Sequence, residues 1–182
     1  MFKGKCQWCR RIDSNPTWKL VVIADNPTLR EVHSFARRDL AFLMNEQLRH
    51  DIKKHPDILR IENPLSEAEL SRFTGLHHPP ADLLDFWKEF GSGEVFESEY
   101  ILRPFEEIES IELITEQQNA KGFPPHLTVF HVGIFVSGFD SDGFEVFEPD
   151  SYKFVGRYFR LDDWYVQTIR LEFAERYGLR RL

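Results

Sequence analysis

The chain has few cysteines and no long hydrophobic run. It contains two cysteines in 182 residues, and apolar stretches such as residues 20–24 are short. A helix that spans a bilayer needs about 20 apolar residues, and a signal peptide needs an apolar segment near the N-terminus. Neither pattern is found, and few cysteines without an export signal are typical of a reducing compartment. We therefore expect a cytoplasmic protein.

The common sequence signatures of catalysis are also missing. The chain has no Gly-x-Ser-x-Gly, His-Glu-x-x-His or P-loop motif. His131 lies within a predicted strand and is interpreted as a hydrogen-bonded core or edge residue rather than as a general base. The chain is therefore predicted not to be an enzyme, and an enzyme with a novel site is kept as a further hypothesis.

Positive charge is nearly absent from one stretch of the chain. Residues 91–118 hold eight Asp or Glu and a single basic residue, Arg103, whereas residues 1–60 hold twelve Lys or Arg and seven Asp or Glu; the net charge of the whole chain is −7. An acidic stretch is commonly a solvated surface. It also suits a basic protein partner, because opposite potentials speed encounter and fix register. The candidate partner-binding residues are Glu94, Glu97, Glu99, Glu106, Glu107, Glu109 and Glu112.

The most informative local signal is the segment 79–93, which predicts a short buried helix. Two prolines open it, where a missing N–H costs nothing, and Gly91 can take the left-handed conformation that ends a helix. Its aromatic residues cover more than one side, so the helix should be packed on several sides. These residues are Phe86, Trp87 and Phe90. Upstream, Ser66 and Glu69 form a capping box for a helix predicted to end just before Gly75.

The second half of the chain predicts strands and then a helix. Residues 127–139 are apolar on nearly both faces and are interpreted as one central strand. Asp142 and Gly143 form a strong hairpin signal. A final helix is predicted to begin at Asp162 or Asp163. Its predicted inward residues are Trp164, Ile169, Leu171, Phe173 and Ala174. This order of elements predicts an α+β fold, with helices packed on an antiparallel sheet.

Together these elements resemble the SUKH superfamily, which includes fungal cell-wall-synthesis regulators and bacterial immunity proteins that neutralise polymorphic toxins. The resemblance rests on the capping-box helix from residue 66, the Pro-led helix and glycine turn at 79–93, and the turn sequence at 138–143. It covers about residues 61–182, which we interpret as one SUKH-like domain. The resemblance implies stoichiometric, non-catalytic binding of another protein. We therefore expect an immunity protein that neutralises a basic toxin domain through the acidic surface.

Residues 1–60 are predicted to be a separate basic segment that resembles a degenerate treble-clef zinc finger. Cys6 and Cys9 have the spacing of a zinc knuckle and are candidate metal ligands. Such fingers take their second ligand pair from the start of the following helix, where this chain has Phe35 and Asp39. Phe35 cannot coordinate a metal, so no cofactor is expected. The alternative hypothesis is a regulatory or nucleic-acid-associated protein that acts through this segment.

We expect the purified protein to contain no stoichiometric zinc, because half of the usual ligand set is missing. The zinc content is measured by plasma mass spectrometry on the protein and on its Cys6→Ser/Cys9→Ser variant. One zinc per chain that disappears in the variant would contradict this expectation. That result would favour the alternative function, since metal binding and folding are coupled in such segments.

Overall fold

The computed structural model describes residues 46–105 and 110–179. These residues belong to one compact unit, Asp39–Leu182. Cys6 and Cys9 lie outside the described residues, as does most of the predicted N-terminal segment. The compact unit includes chain on the N-terminal side of residue 60, where the sequence analysis placed the domain boundary.

Within the described residues, a seven-stranded antiparallel sheet has its strands in sequence order. Each strand pairs with the next one along the chain, so the sheet is a meander with β1 and β7 at its edges. The strands are β1 (Leu59–Glu62), β2 (Ser92–Val95), β3 (Glu99–Ile101), β4 (Thr128–Val132), β5 (Val136–Asp140), β6 (Gly143–Phe147) and β7 (Phe154–Tyr158). With the helices described next, this sheet confirms the α+β prediction.

Short helices pack on this sheet. They are α1 (Glu46–Lys54), α2 (Glu67–His77), α3 (Ala81–Glu89), α4 (Ile111–Ala120), α5 (Leu161–Tyr165) and α6 (Leu171–Phe173), and a π-helical turn, Val166–Arg170, joins the last two. Helix α4 contacts β4, α5 contacts β6 and β7, and α1 contacts both β1 and α5. The C-terminal helical segment and α1 are therefore neighbours although they are far apart in sequence.

The register of strands β1 to β4 sorts their side chains into two faces. Successive side chains of a strand point to opposite faces, so direct cross-strand partners share a face. One row of partners, which we call the inner row, consists of Ile61, Gly93, Ile101 and His131. The outer row on the opposite face consists of Arg60, Glu94, Tyr100 and Val132. Tyr100 is 41% exposed whereas His131 is fully buried, so the inner row faces the core.

Aromatic side chains dominate the core, as the sequence predicted for the helix around Trp87. Trp87 is fully buried, and it meets the Phe73 ring edge-on at 5.3 Å between centroids. Its indole Nε1–H donates a hydrogen bond of 3.2 Å to the carbonyl oxygen of Leu102. Phe73 in turn packs edge-on against Phe139 of β5. Helix α3 therefore packs on more than one side, because its aromatic residues lie between α2 and the sheet.

The capping box of α2 forms as predicted, but the end of that helix was predicted incorrectly. Ser66 and Glu69 exchange reciprocal side-chain-to-backbone hydrogen bonds. Gly75 does not end the helix; it lies inside α2, which continues to His77, and His78 takes the left-handed conformation with φ 47°. A single glycine in a helix costs only about 1 kcal/mol. Packing of the final turn, where the His77 ring lies 4.6 Å from the Phe73 ring, favours the three further helical residues 75–77.

The single central strand predicted at 127–139 is wrong, because the chain reverses within it. Strands β4 and β5 pair with each other, with Val132 opposite Val136, and the Gly133 N–H donates to the Phe135 carbonyl to close the turn. Both strands are apolar on both faces, so hydrophobic pattern alone cannot separate one long strand from a buried hairpin. The hairpin predicted at Asp142 and Gly143 is confirmed between β5 and β6.

The final helix also differs from its prediction, because it contains a π-helical turn. Trp164 and Ile169 are fully buried as predicted, but Leu171 is 73% exposed. A π-helical turn holds one more residue than an α-helical turn, so it rotates the residues after it around the helix axis. The turn places Arg170 inside instead, where its Nε–H donates to Asp51 Oδ2 at 2.7 Å.

We expect Gly91→Ala to destabilise the fold by about 1–3 kcal/mol. Gly91 has φ +93°, and a Cβ at this position would lie 2.1 Å from the Glu62 carbonyl oxygen. The matched control is Gly75→Ala, because a Cβ at this position meets nothing within 4 Å. This substitution should stabilise the helix by about 0.5–1 kcal/mol. Urea unfolding measures both variants. A Gly91→Ala protein as stable as the parent would contradict the strained geometry at this position.

Candidate functional site

The predicted acidic surface is only partly assembled among the described residues. Glu94 lies in β2, Glu97 in the β2–β3 turn, Glu99 in β3 and Glu112 in the first turn of α4. Three further members, Glu106, Glu107 and Glu109, lie outside the described residues. Each of the four described glutamates has a different environment, and these environments decide which of them a partner can reach.

Glu99 is not a surface residue, and its assignment to the partner-binding surface is wrong. Its side chain is fully buried. Its carboxylate accepts hydrogen bonds from the Ile134 N–H at 3.1 Å, from Ser98 Oγ at 3.0 Å and from His131 Nε2 at 3.1 Å. The alternation of β3 causes this burial, because Glu99 shares the core face with Ile101. A glutamate with three donors in the core stabilises the fold and does not meet a partner.

Glu94 belongs to the outer row and is partly neutralised there. Its Oε2 accepts a hydrogen bond of 3.0 Å from Arg60 Nη1 in β1, and the Tyr100 hydroxyl lies 3.5 Å from its other oxygen. The Glu94 side chain is 22% exposed, against 58% for Arg60. The outer row therefore presents an arginine and a tyrosine more than it presents the glutamate.

Glu112 is turned toward the connection that precedes its helix. Its Oε2 accepts a hydrogen bond of 3.1 Å from the Phe105 N–H, and Phe105 has a left-handed φ of 61°. Within the described part of the chain, its Oε1 is buried without a hydrogen-bond partner. Glu112 thus stabilises the backbone next to the acidic segment 106–109, and only part of its charge is available to a partner.

Glu97 is exposed at the tip of the β2–β3 turn, where its carboxylate also interacts with the Tyr177 hydroxyl. Glu97 and its neighbour Phe96 both have left-handed φ values, 65° and 56°, which are unusual for residues other than glycine. The Phe96 ring compensates for this geometry, because it is buried in a stack against Phe173 at 5.3 Å and near Tyr165 at 6.5 Å. The C-terminal helical segment therefore fixes the turn that exposes Glu97.

The chain on both sides of the acidic segment 106–109 is also fixed. The Ile111 N–H donates to the Arg103 carbonyl at 3.0 Å, which closes the connection at its base. The Arg103 guanidinium donates to the Asn63 carbonyl at 2.7 Å and to Glu69 Oε1 at 2.8 Å. The bond to Glu69 anchors the connection to α2. The hydrogen bond from Ser66, followed by the one from Arg103, lowers the pKa of Glu69 to about 2.

Ser137, His131 and Glu99 form a hydrogen-bonded chain with the residue types of a hydrolase triad. Ser137 Oγ lies 3.2 Å from His131 Nδ1, and His131 Nε2 lies 3.1 Å from Glu99 Oε2. A nucleophile must reach its substrate, but all three side chains are fully buried. The prediction that His131 is a hydrogen-bonded core residue is confirmed.

The hydrogen bonds of this buried chain are complete when His131 is neutral. The Trp164 Nε1–H donates to Ser137 Oγ at 3.0 Å, the Ser137 hydroxyl donates to Nδ1, and Nε2–H donates to Glu99. Burial lowers the pKa of His131, and the nearby Glu99 opposes that shift. The chain therefore joins β3, β4, β5 and α5 through satisfied polar groups.

The described residues contain no cluster of three or more His, Cys, Asp or Glu side chains suited to a metal ion. Cys6 and Cys9, the candidate ligands from the sequence, lie outside the described residues, so their zinc site stays a prediction. In the same part of the chain, no helix has the length and apolar character needed to cross a membrane.

Sequence reasoning missed the outer row and Ser137. Arg60 and Tyr100 gave no signal of their own, since nothing in the sequence indicates that β1 and β3 flank β2. Ser137 alternates with apolar residues in an apolar run, so it was recognised as part of a strand but not as the acceptor for Trp164. Such pairings join residues that are distant in sequence, and only strand register brings them together.

No protein-family model matches the chain, and a search of curated proteins found no match. The resemblance to the SUKH superfamily therefore stays a prediction that depends on the sequence pattern.

We expect Ser137→Ala to destabilise the protein by about 1–3 kcal/mol, because it leaves a buried indole N–H and imidazole nitrogen without partners. The matched control is Ser141→Ala in the exposed β5–β6 turn, which should change stability by no more than about 0.5 kcal/mol. Chemical denaturation followed by tryptophan fluorescence measures both variants. Equal stability of the two variants would show that the buried chain does not stabilise the sheet.

Proposed function

We propose that the chain is a non-catalytic protein-binding module, and specifically an immunity protein that neutralises a basic toxin domain. The observation that carries this proposal is that hydrogen bonds fix the chain on both sides of the acidic residues 106–109. The chain enters the segment at Phe105, whose N–H donates to Glu112, and leaves it at Ser110, next to Ile111, whose N–H donates to the Arg103 carbonyl. The Arg103 guanidinium in turn donates to the Asn63 carbonyl. A connection whose two ends are fixed loses less conformational entropy on binding than one with free ends, which favours its use as a recognition element.

The charge of the segment supports a basic partner. Residues 91–118 carry eight acidic residues and one arginine. Glu106, Glu107 and Glu109 follow directly on the anchored Phe105, and Glu97 adds an exposed charge on the β2–β3 turn. Nuclease toxins have basic surfaces because they bind phosphates, and an acidic inhibitor can occupy such a groove. The sequence resemblance to SUKH-type immunity proteins favours the same kind of partner.

The buried polar chain favours binding over catalysis. Ser137, His131 and Glu99 have the residue types for acyl transfer, but their polar atoms already bond to one another, to Trp164 and to the Ile134 backbone. Opening this chain to a substrate would separate β3 and β4 from α5. The proposal therefore assigns function to the exposed acidic residues and a structural role to this chain.

The test begins with capture of partners from a lysate of the host organism at low and high salt, followed by purification of the protein that is retained. We expect Glu106→Lys/Glu107→Lys/Glu109→Lys to bind this protein at least about tenfold more weakly, because charge pairs across an interface become repulsive. The control reverses three exposed acids elsewhere, Asp57→Lys/Asp85→Lys/Glu172→Lys, so that the net charge changes equally.

Calorimetry measures the affinity of each variant, and circular dichroism verifies that each is folded. An unchanged affinity for the acidic-segment variant would contradict the proposal, as would the same loss in both variants. Recovery of nucleic acid alone from the lysate would also contradict it.

A further inference from the structure

One side of the edge strand β1 faces no other strand of the described residues. Its other side pairs with β2. The Ile58 carbonyl accepts a hydrogen bond of 2.9 Å from the Phe96 N–H, and a Cβ on Gly93 would lie 2.2 Å from the Arg60 carbonyl oxygen. The carbonyls of Ile58 and Arg60 therefore face β2. Because carbonyls alternate along a strand, the N–H and C=O groups of Ile61 point away from the sheet.

The side chains on either side of Ile61 carry opposite charges. Arg60 and Glu62 are two residues apart, so they lie on the same face of the strand, and both are exposed. When two copies of this strand pair antiparallel with Ile61 at the centre, residue 60 of each copy lies opposite residue 62 of the other. The strand is therefore complementary in charge to a second copy of itself.

We propose that β1 is a homodimer interface, in which two copies pair antiparallel about a two-fold axis at Ile61. The two Ile61 residues exchange both backbone hydrogen bonds, and the two seven-stranded sheets become continuous. Arg60 of each copy faces Glu62 of the other. This is the self-complementary contact that a two-fold symmetric interface requires.

The geometry of the pair favours the charge contacts. When Ile61 forms the hydrogen-bonded pair, the flanking positions 60 and 62 form non-hydrogen-bonded pairs, whose side chains lie closest together. Opposite charges at such positions stabilise a sheet. Arg60 Nη1 already donates a hydrogen bond to Glu94, and the guanidinium has five N–H donors in all. It can therefore bind its own Glu94 and the second copy's Glu62 together.

The other sheet edge is less suited to self-pairing. Arg157 is the only charged residue within β7 (Phe154–Tyr158), and it is already paired with Glu145 and Asp140. This strand therefore has no pair of opposite charges like Arg60 and Glu62. Basic side chains on an edge strand are a known protection against pairing. Phe154 is 54% exposed, but it is uncharged and so adds no charge that is complementary to Arg157. The observations therefore favour β1 as the edge that binds a second copy.

Sedimentation velocity of the full chain, from micromolar to millimolar concentration, tests the proposal. We expect the parent protein to form a dimer as concentration rises, and Glu62→Arg to associate at least about tenfold more weakly, because like charges then face each other across the axis. Glu62 is opposite the uncharged Ser92 within its own sheet, so the substitution leaves the fold intact. The control is Glu172→Arg, which makes the same charge change at an exposed position on α6.

Two charge-swap experiments make the test specific for this register. The double variant Arg60→Glu/Glu62→Arg restores opposite charges at every pair and should dimerise again. An equimolar mixture of Arg60→Glu and Glu62→Arg should form a heterodimer, although each variant alone stays monomeric. Thermal unfolding verifies that the variants at Arg60, which lose the Glu94 ion pair, remain folded.

Three results would overturn the proposal: a parent protein that stays monomeric at all concentrations, Glu62→Arg that dimerises like the parent, or a double variant that stays monomeric while folded. None of these results bears on the proposed toxin binding, which depends on the acidic segment and not on β1.

Discussion

The structure depends on polar groups that the sheet buries at its centre. Glu99, His131 and Ser137 lie on neighbouring strands with no contact to solvent, and a buried polar group without a hydrogen bond is costly. A hydrogen bond therefore holds each of these side chains against the next one. The Trp164 indole N–H, from the C-terminal helical segment, completes the chain by donating to Ser137. Hydrophobic burial alone would tolerate small shifts between α5 and the sheet, but these directional bonds do not.

A second buried group extends this constraint to the N-terminal side of the unit. Asp51 in α1 accepts hydrogen bonds from the Tyr165 hydroxyl at 2.9 Å and from Arg170 at 2.7 Å. The π-helical turn makes this contact available, because the extra residue brings Arg170 inward. Tyr165 also stacks on Phe96. The same helical segment thus holds α1, the centre of the sheet and the strained β2–β3 turn in one arrangement.

These interior contacts determine what the surface presents. Alternation along β2 and β3 places Glu99 inside and brings Glu94 and Tyr100 outside. Hydrogen bonds also fix the chain at Arg103 and at Ile111, on either side of the acidic residues 106–109. Among the described residues, the exposed acidic surface is smaller than the composition of residues 91–118 indicates. One of its candidate members, Glu94, is already paired with Arg60 of the edge strand β1.

Local sequence patterns are sufficient to predict the fold class and several individual elements. The capping box at Ser66, the helix around Trp87 and the Asp142-Gly143 hairpin depend on residues a few positions apart, so local chemistry is sufficient to predict them. Three features depend instead on tertiary contacts: the chain reverses within residues 127–139, Leu171 faces solvent and Glu99 is buried. Those outcomes depend on strand register and on partners such as His131 and Asp51, which are distant in sequence. Pairwise contacts of this kind leave no periodic signal, because a one-residue change of register reverses the face of every side chain.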